Sequence, residues 1–170
     1  MKSIFLSIFA FFSVFNNAGA QGRGELVPEY LYKTYRYQPF RHLEFDILDK
    51  WNPVQNNLEV VFTDEGENLP QLFFQAVGKT EEFKNSSDFL NFLKKNDPSQ
   101  QFQNISSTIV SEYEALTFGY LDQGFPSIYN YALIVDVGEG ILWFYLKVPQ
   151  EEAGQSHPII KQLIASIDFK

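Results

Sequence analysis

The sequence predicts an α+β domain, an antiparallel sheet covered by helices on both faces in an α/β/α sandwich. Three observations predict it. Apolar residues recur with period two along much of the chain, as strands with one buried face require. Two segments, 86–96 and 151–165, change to helical spacing. The two most apolar runs, 129–137 and 141–148, carry large residues on both faces, which places them mid-sheet under cover on either side.

The first element is an export signal over residues 1–20. Lys2 supplies the positive start, and an apolar run extends from Ile4 to Phe15. Asn16 and Asn17 end it, and Ala18-Gly19-Ala20 forms a small-x-small cleavage site before Gln21. The run is about a dozen residues, against roughly 20 for a membrane span. The expected product is one domain from Gln21 to Lys170, free in the periplasm or outside the cell. Position 21 is Gln, so the lipidated Cys of a bacterial lipoprotein is missing.

Residues 21–40 read as an N-terminal arm ahead of a single domain over 41–170. Gly22, Gly24, Pro28 and Pro39 punctuate the arm, and Tyr30, Tyr32, Tyr35 and Tyr37 interleave with Lys33 and Arg36. Such a segment orders by docking its tyrosines on the domain edge; a partner-binding arm is the competing reading.

From Arg41, Leu43, Phe45 and Ile47 alternate with polar residues, and Trp51-Asn52-Pro53 should end that strand. Leu58–Phe62 and Leu72–Val77 are the next two, joined through the turn Asp64-Glu65-Gly66-Glu67-Asn68. Ser86 or Ser87 should cap a helix with Asp88 in its first turn. Phe89, Leu90, Phe92 and Leu93 form its apolar stripe, and Asn96-Asp97-Pro98 stops it. Strands resume at Ser107–Ser111 and Ala115–Leu121. Gly124-Phe125-Pro126 is a loop, and Gly138-Glu139-Gly140 turns the final long hairpin. The last helix, 151–165, carries the stripe Ile159, Ile160, Leu163 and Ile164; Pro158 argues for a firm start near His157. Ser166-Ile167-Asp168-Phe169 closes the chain as a short strand or tail.

Composition narrows the chemistry. The 170 residues hold 13 Lys and Arg against 21 Asp and Glu, a net charge of −8. Loss of Lys2 with the signal makes it −9. An acidic surface repels phosphate backbones and favours cations or basic proteins as partners, so no nucleic acid is expected. There is no cysteine, which excludes disulfides, thiolate metal sites and cysteine nucleophiles. Thirteen of the 18 Phe lie beyond the signal, enough to build a core without disulfides. The sequence contains no G-x-S-x-G elbow, P-loop or Rossmann glycine motif. Its two histidines, His42 and His157, show no pairing and read as solvated side chains.

This order of elements resembles the PsbP/Mog-like superfamily of small α/β/α sandwiches. The resemblance is carried by Phe45-Asp46-Ile47 followed by Trp51, the mid-chain helix 86–96, and the strand Ala115–Leu121. The aromatic hairpin and the ending Ile164-Ala165-Ser166-Ile167-Asp168-Phe169 match it best. It covers about residues 40–170. Two positions depart from the pattern: Lys50, not Pro, precedes Trp51, and Ile167 stands where Phe is usual. The resemblance implies an accessory or binding protein with no shared catalytic site, fold being a weak warrant for function.

The leading expectation is therefore an exported, non-catalytic domain that binds a protein partner, requires no cofactor and is not an enzyme. Its contact residues should be Asp64, Glu65 and Glu67 in one loop and Phe125 and Pro126 in another. The same carboxylates offer hard oxygen ligands around Gly66, so weak calcium binding is the rival there, although the EF-hand spacing is missing. A second expectation is a small-ligand carrier with Tyr129, Tyr131, Trp143 and Tyr145 lining one cleft; an enzyme of unknown reaction is third. Two sequons occur, at Asn85 and Asn104.

Overall fold

The computed structural model describes residues 30–39, 43–56, 59–65, 69–122, 124–125, 127–153 and 157–169. The export signal, half of the arm, His42, Glu67 and Pro126 lie outside the described residues.

The strands are β1 (Tyr32–Tyr37), β2 (Leu43–Leu48), β3 (Asn52–Asn56), β4 (Glu59–Thr63) and β5 (Gln71–Gly78). After helix α1 (Ser86–Asn96) come β6 (Gln103–Val110), β7 (Tyr113–Leu121), β8 (Ile128–Asp136) and β9 (Gly140–Pro149). Helix α2 (His157–Ser166) and the short β10 (Asp168–Phe169) complete the chain. Seven strands form one sheet in the order β3-β4-β5-β9-β8-β7-β6, and β1-β2-β10 form a second. Every adjacent pair is antiparallel. The protein has the α+β architecture read from the sequence, with a second small sheet that local periodicity did not reveal.

β9 lies fourth of seven, and its residues alternate between two environments. Phe144 and Leu146 are fully buried on one side. There Phe45 of β2 meets Phe62, Phe74 and Phe144 at ring-centroid distances of 5.7, 5.5 and 5.1 Å, which packs the small sheet onto the large one. On the other side Trp143 meets Phe89 of α1 at 5.6 Å, and Phe89 and Leu90 bury over Leu116, Phe118 and Ile134. Helix α2 packs against β2. Its Ser166 Oγ accepts from the Asp46 amide at 2.8 Å, and its Gln162 amide donates to Asp46 Oδ2 at 2.8 Å.

Three local expectations need correction. The strand expected to end at Trp51-Asn52-Pro53 already ends at Leu48, and Asn52–Asn56 forms a strand of its own, β3. Pro53 is tolerated there because β3 is an edge strand, with β4 on one side only. Tyr32–Tyr37, read as a segment docked on the domain edge, does pair with β2, along its whole length. The cap of α1 is Asn85, whose Oδ1 accepts from the Asp88 amide at 2.8 Å; Ser86 is already buried inside the helix. The last helix does not extend back to 151: it begins at His157, where Pro158 argued for its firm start, and Glu151 and Glu152 sit in a 3-10 turn ahead of it.

Candidate functional site

Register places the two expected contact loops at one end of the large sheet. Gln71 of β5 pairs with Lys147 of β9, which pairs with Asn130 of β8, which pairs with Tyr120 of β7. The β4–β5 and β7–β8 loops both emerge just beyond that row. With strands about 4.8 Å apart, β5 and β8 stand roughly 10 Å from each other across β9.

The β7–β8 loop is a built turn. Asp122 Oδ1 accepts from the amides of Gly124 and Phe125 at 2.9 and 3.1 Å, and the Ile128 amide donates to the Phe125 carbonyl at 2.8 Å. The Gln150 amide ties the loop to the end of β9 through the Ser127 carbonyl at 2.6 Å. This scaffold holds Phe125 65% exposed. Asp122 is a positioning residue that sequence reasoning missed, although an Asp two residues before a Gly is a turn signal.

In the β4–β5 loop, Asp64 Oδ2 lies 3.3 Å from Lys50 Nζ, and Glu65 is exposed. Lys50 was not anticipated, since it comes from the β2–β3 turn and only the β3–β4 pairing brings it near. Asp64 is thus partly neutralised. Among the described residues no group of three or more His, Asp or Glu comes together to hold a metal ion.

The four aromatics expected to line one cleft divide between two faces. Tyr131 pairs with Leu146, and Ile134 pairs with Trp143. Strand alternation then puts Tyr129 and Tyr131 on the side of Phe144, and Trp143 and Tyr145 on the side of α1. On the first side a cavity of about 350 Å³ opens between α2 and the sheet. Thr117, Gly119, Tyr129 and Tyr131 line it from the strands, with Ile160, Lys161 and Ile164 from the helix. Gly119 is there because the Tyr129 ring lies on it: a Cβ would stand 1.9 Å from the Tyr129 hydroxyl oxygen. Tyr131 donates its hydroxyl to the Ala153 carbonyl, and burial raises its pKa.

On the second side Phe73 and Tyr145 stack at 4.5 Å, 4° from parallel, with Lys147 Nζ 4.8 Å from the Phe73 centroid. Tyr145 donates to Glu59 Oε1 at 2.6 Å. Burial, then that hydrogen bond and the Glu59 charge, push its hydroxyl far above the ordinary value. Asn130 is 1% exposed, and neither polar atom of its carboxamide has a partner among the described residues.

No family model and no curated protein matches this chain. Solved structures do. The cyanobacterial PsbP protein of Synechocystis, CyanoP, superposes with a TM-score of 0.64 at 16% identity, over 89% of this chain and 98% of its own. A protein of Bacteroides thetaiotaomicron gives 0.54 at 14% identity, over 75% of this chain and 45% of its own. A protein of unknown function from Pseudomonas aeruginosa gives 0.52 at 11%, over 82% and 97%. The chain has the PsbP-like fold that its aromatic hairpin and terminal helix resembled.

Proposed function

We propose that this PsbP-like domain is an exported, non-catalytic accessory protein that binds a protein partner through the loop end of its large sheet. The observation carrying this reading is Phe125, a large apolar ring held 65% exposed on a turn that Asp122 fixes. A rigid exposed aromatic loses little entropy on binding and is a typical interface anchor. Pro126 follows it in the chain, and Asp64, Glu65 and Glu67 belong to the loop two strands away. The chain's net charge of −8 steers a basic partner and disfavours nucleic acid. The layering is read as an α/β/α sandwich in which β1-β2-β10 shares the α2 layer. No described helix is long and apolar enough to cross a membrane. Export rests on the sequence of residues 1–20 and is tested by finding Gln21 at the N-terminus of the protein from its host.

The contact is tested by capture from the host's envelope fraction. Wild-type chain should retain a partner that Phe125→Ala loses at least tenfold, with unchanged melting; equal capture would remove the loop end from the interface. Calorimetry with millimolar calcium tests the metal rival. Saturable heat abolished by Asp64→Asn with Glu67→Gln would replace the protein-contact role of that loop.

The cavity beside α2 supports a second reading, a small-ligand carrier. Its volume lies at the lower end of ligand pockets, and Tyr129, Tyr131 and Thr117 bring polar tips to an apolar wall. Ile160→Trp, which would fill the cavity, should abolish any ligand-induced rise in melting temperature while leaving partner capture intact.

A further inference from the structure

The two edges of the seven-stranded sheet are protected differently. β3, one edge, is five residues long and contains Pro53, which offers no N–H to an incoming strand. β6, the other edge, has eight residues and no proline. No charged residue occurs between Asp97 and Glu112, in a chain that is 20% charged. Lysines, prolines and inward charges are the usual guards of an exposed edge, and β6 has none of them. It also carries two of the exposed large apolar side chains, Ile105 at 44% and Ile109 at 62%.

Its guard is geometric and partial. The β6–β7 register shifts between Gln103 and Ser106, and Asn104 takes a φ of +53°. This bulge ends the flat stretch on one side, and the turn at Ser111 and Glu112 ends it on the other. From Ile105, the second residue of the bulge, to Ile109 ahead of the turn runs Ile105-Ser106-Ser107-Thr108-Ile109, which reads nearly the same in both directions. Ile105, Ser107 and Ile109 alternate onto one side of the strand. A second copy laid antiparallel about a two-fold axis at Ser107 sets each Ile105 opposite an Ile109, each Ser106 opposite a Thr108, and Ser107 opposite itself. Apolar pairs and Ser–Thr pairs are favourable cross-strand neighbours, and small serines at the centre let the backbones approach.

We propose that β6 is a self-pairing edge, through which two copies of this chain join their large sheets antiparallel about Ser107. The near-palindrome selects a second copy over an unrelated strand. The missing charge is what lets two molecules of net charge −8 meet there. The contact is isologous and closes on itself, so the assembly stops at a dimer. It is independent of the loop-end contact and survives that reading's failure.

Sedimentation of the purified chain over about three decades of concentration tests it, with a monomer–dimer equilibrium expected. Ile109→Lys, at an exposed position, should leave the chain monomeric, with the melting temperature that wild type shows when diluted to monomer. The register has its own test, because the chain has no cysteine. Under mild oxidation Ser107→Cys should form a disulfide-linked dimer at least tenfold faster than Gln101→Cys, an exposed control outside the window. A chain that stays monomeric throughout overturns the proposal and leaves the edge to a foreign strand. A dimer that persists in Ile109→Lys, or equal linkage of the two cysteine variants, overturns it as well.

Discussion

The two faces of the large sheet differ in what their aromatic residues do. Under β1 and β2 the rings of Phe45, Phe62, Phe74 and Phe144 are at most 1% exposed and meet one another, with Tyr35 against Phe45 and Phe62 and Tyr37 edge-on to Phe74 at the rim. Toward α1, Trp143, Tyr145 and Phe73 are only half-buried, and the Tyr145 hydroxyl is bonded to Glu59. Neighbours on a single strand, Phe144 and Tyr145, belong to the two environments. β9 therefore serves as an anchor with its even-numbered residues, and from Trp143 onward shapes a half-buried surface with its odd-numbered ones.

The comparison breaks most visibly at Phe144. Cut to Ala, a fully buried Phe costs about 3–5 kcal/mol through lost burial and the cavity left behind. A urea melt of Phe144→Ala should show this as a lower midpoint with an unchanged slope. A loss below about 1 kcal/mol would mean the phenylalanine face is not the main core.

Gly119 sharpens the same face at its α2 side. An alanine there puts a methyl group 1.9 Å from the Tyr129 hydroxyl oxygen, so the ring must swing into the cavity. Gly119→Ala should cost about 1–3 kcal/mol, the range for overpacking. Tyr129→Ala in the same chain should remove the clash, so the double variant loses less than the sum of the two single ones. Strict additivity in a double-mutant cycle would show that the two residues do not touch.

On the opposite face α1 is the covering element, and Asn85 holds its first turn. Asn85→Ala should cost about 1 kcal/mol, the usual worth of a capping side chain. Ser86→Ala tests the same point from the residue that the sequence favoured. Because Ser86 lies inside the helix, its loss should leave the Asp88 amide bonded. An Asn85→Ala chain with wild-type stability would return the cap to Ser86.

These residues also show where sequence reasoning stops. Periodicity identified β2, α1 and the β8–β9 hairpin, because alternation and helical spacing are local signals. It did not reveal that β5 lies beside β9, some seventy residues away in the chain, or that β1, β2 and β10 form their own sheet. Strand order depends on contacts between distant segments, which no window of a few residues contains. The loops holding Asp64 and Phe125 were legible as turns. The Lys50 partner of Asp64, the Asp122 scaffold and the Gly119–Tyr129 contact were not, each needing a neighbour fixed only by the fold. The division of Tyr129 and Tyr131 from Trp143 and Tyr145 follows from register, which the hairpin's length alone did not give.

The smallest expected effect is an alkaline one on the α1 face. Tyr145 and Tyr120, both on the α1 side, have hydroxyls pushed far above 10, first by burial and then by nearby carboxylates. A tyrosine whose folded pKa is raised stays protonated in the native state while the unfolded chain ionises from about pH 10 upward. The unfolded state then binds fewer protons than the native one, and stability falls as pH rises. Below pH 10 both states are protonated and these groups add no slope. Tyr145→Phe removes one such group, so its stability should fall less steeply than wild type between about pH 10 and 12. At pH 7 it should lose only the Glu59 hydrogen bond, on the order of 1 kcal/mol. Phe74→Leu removes no ionisable group, so it should lower stability equally at both pH values. Denaturant midpoints collected at pH 7 and pH 11 measure both. If Tyr145→Phe shows the wild-type alkaline slope, its hydroxyl is solvated in the folded state, and the α1 face is more open than the Glu59 contact implies.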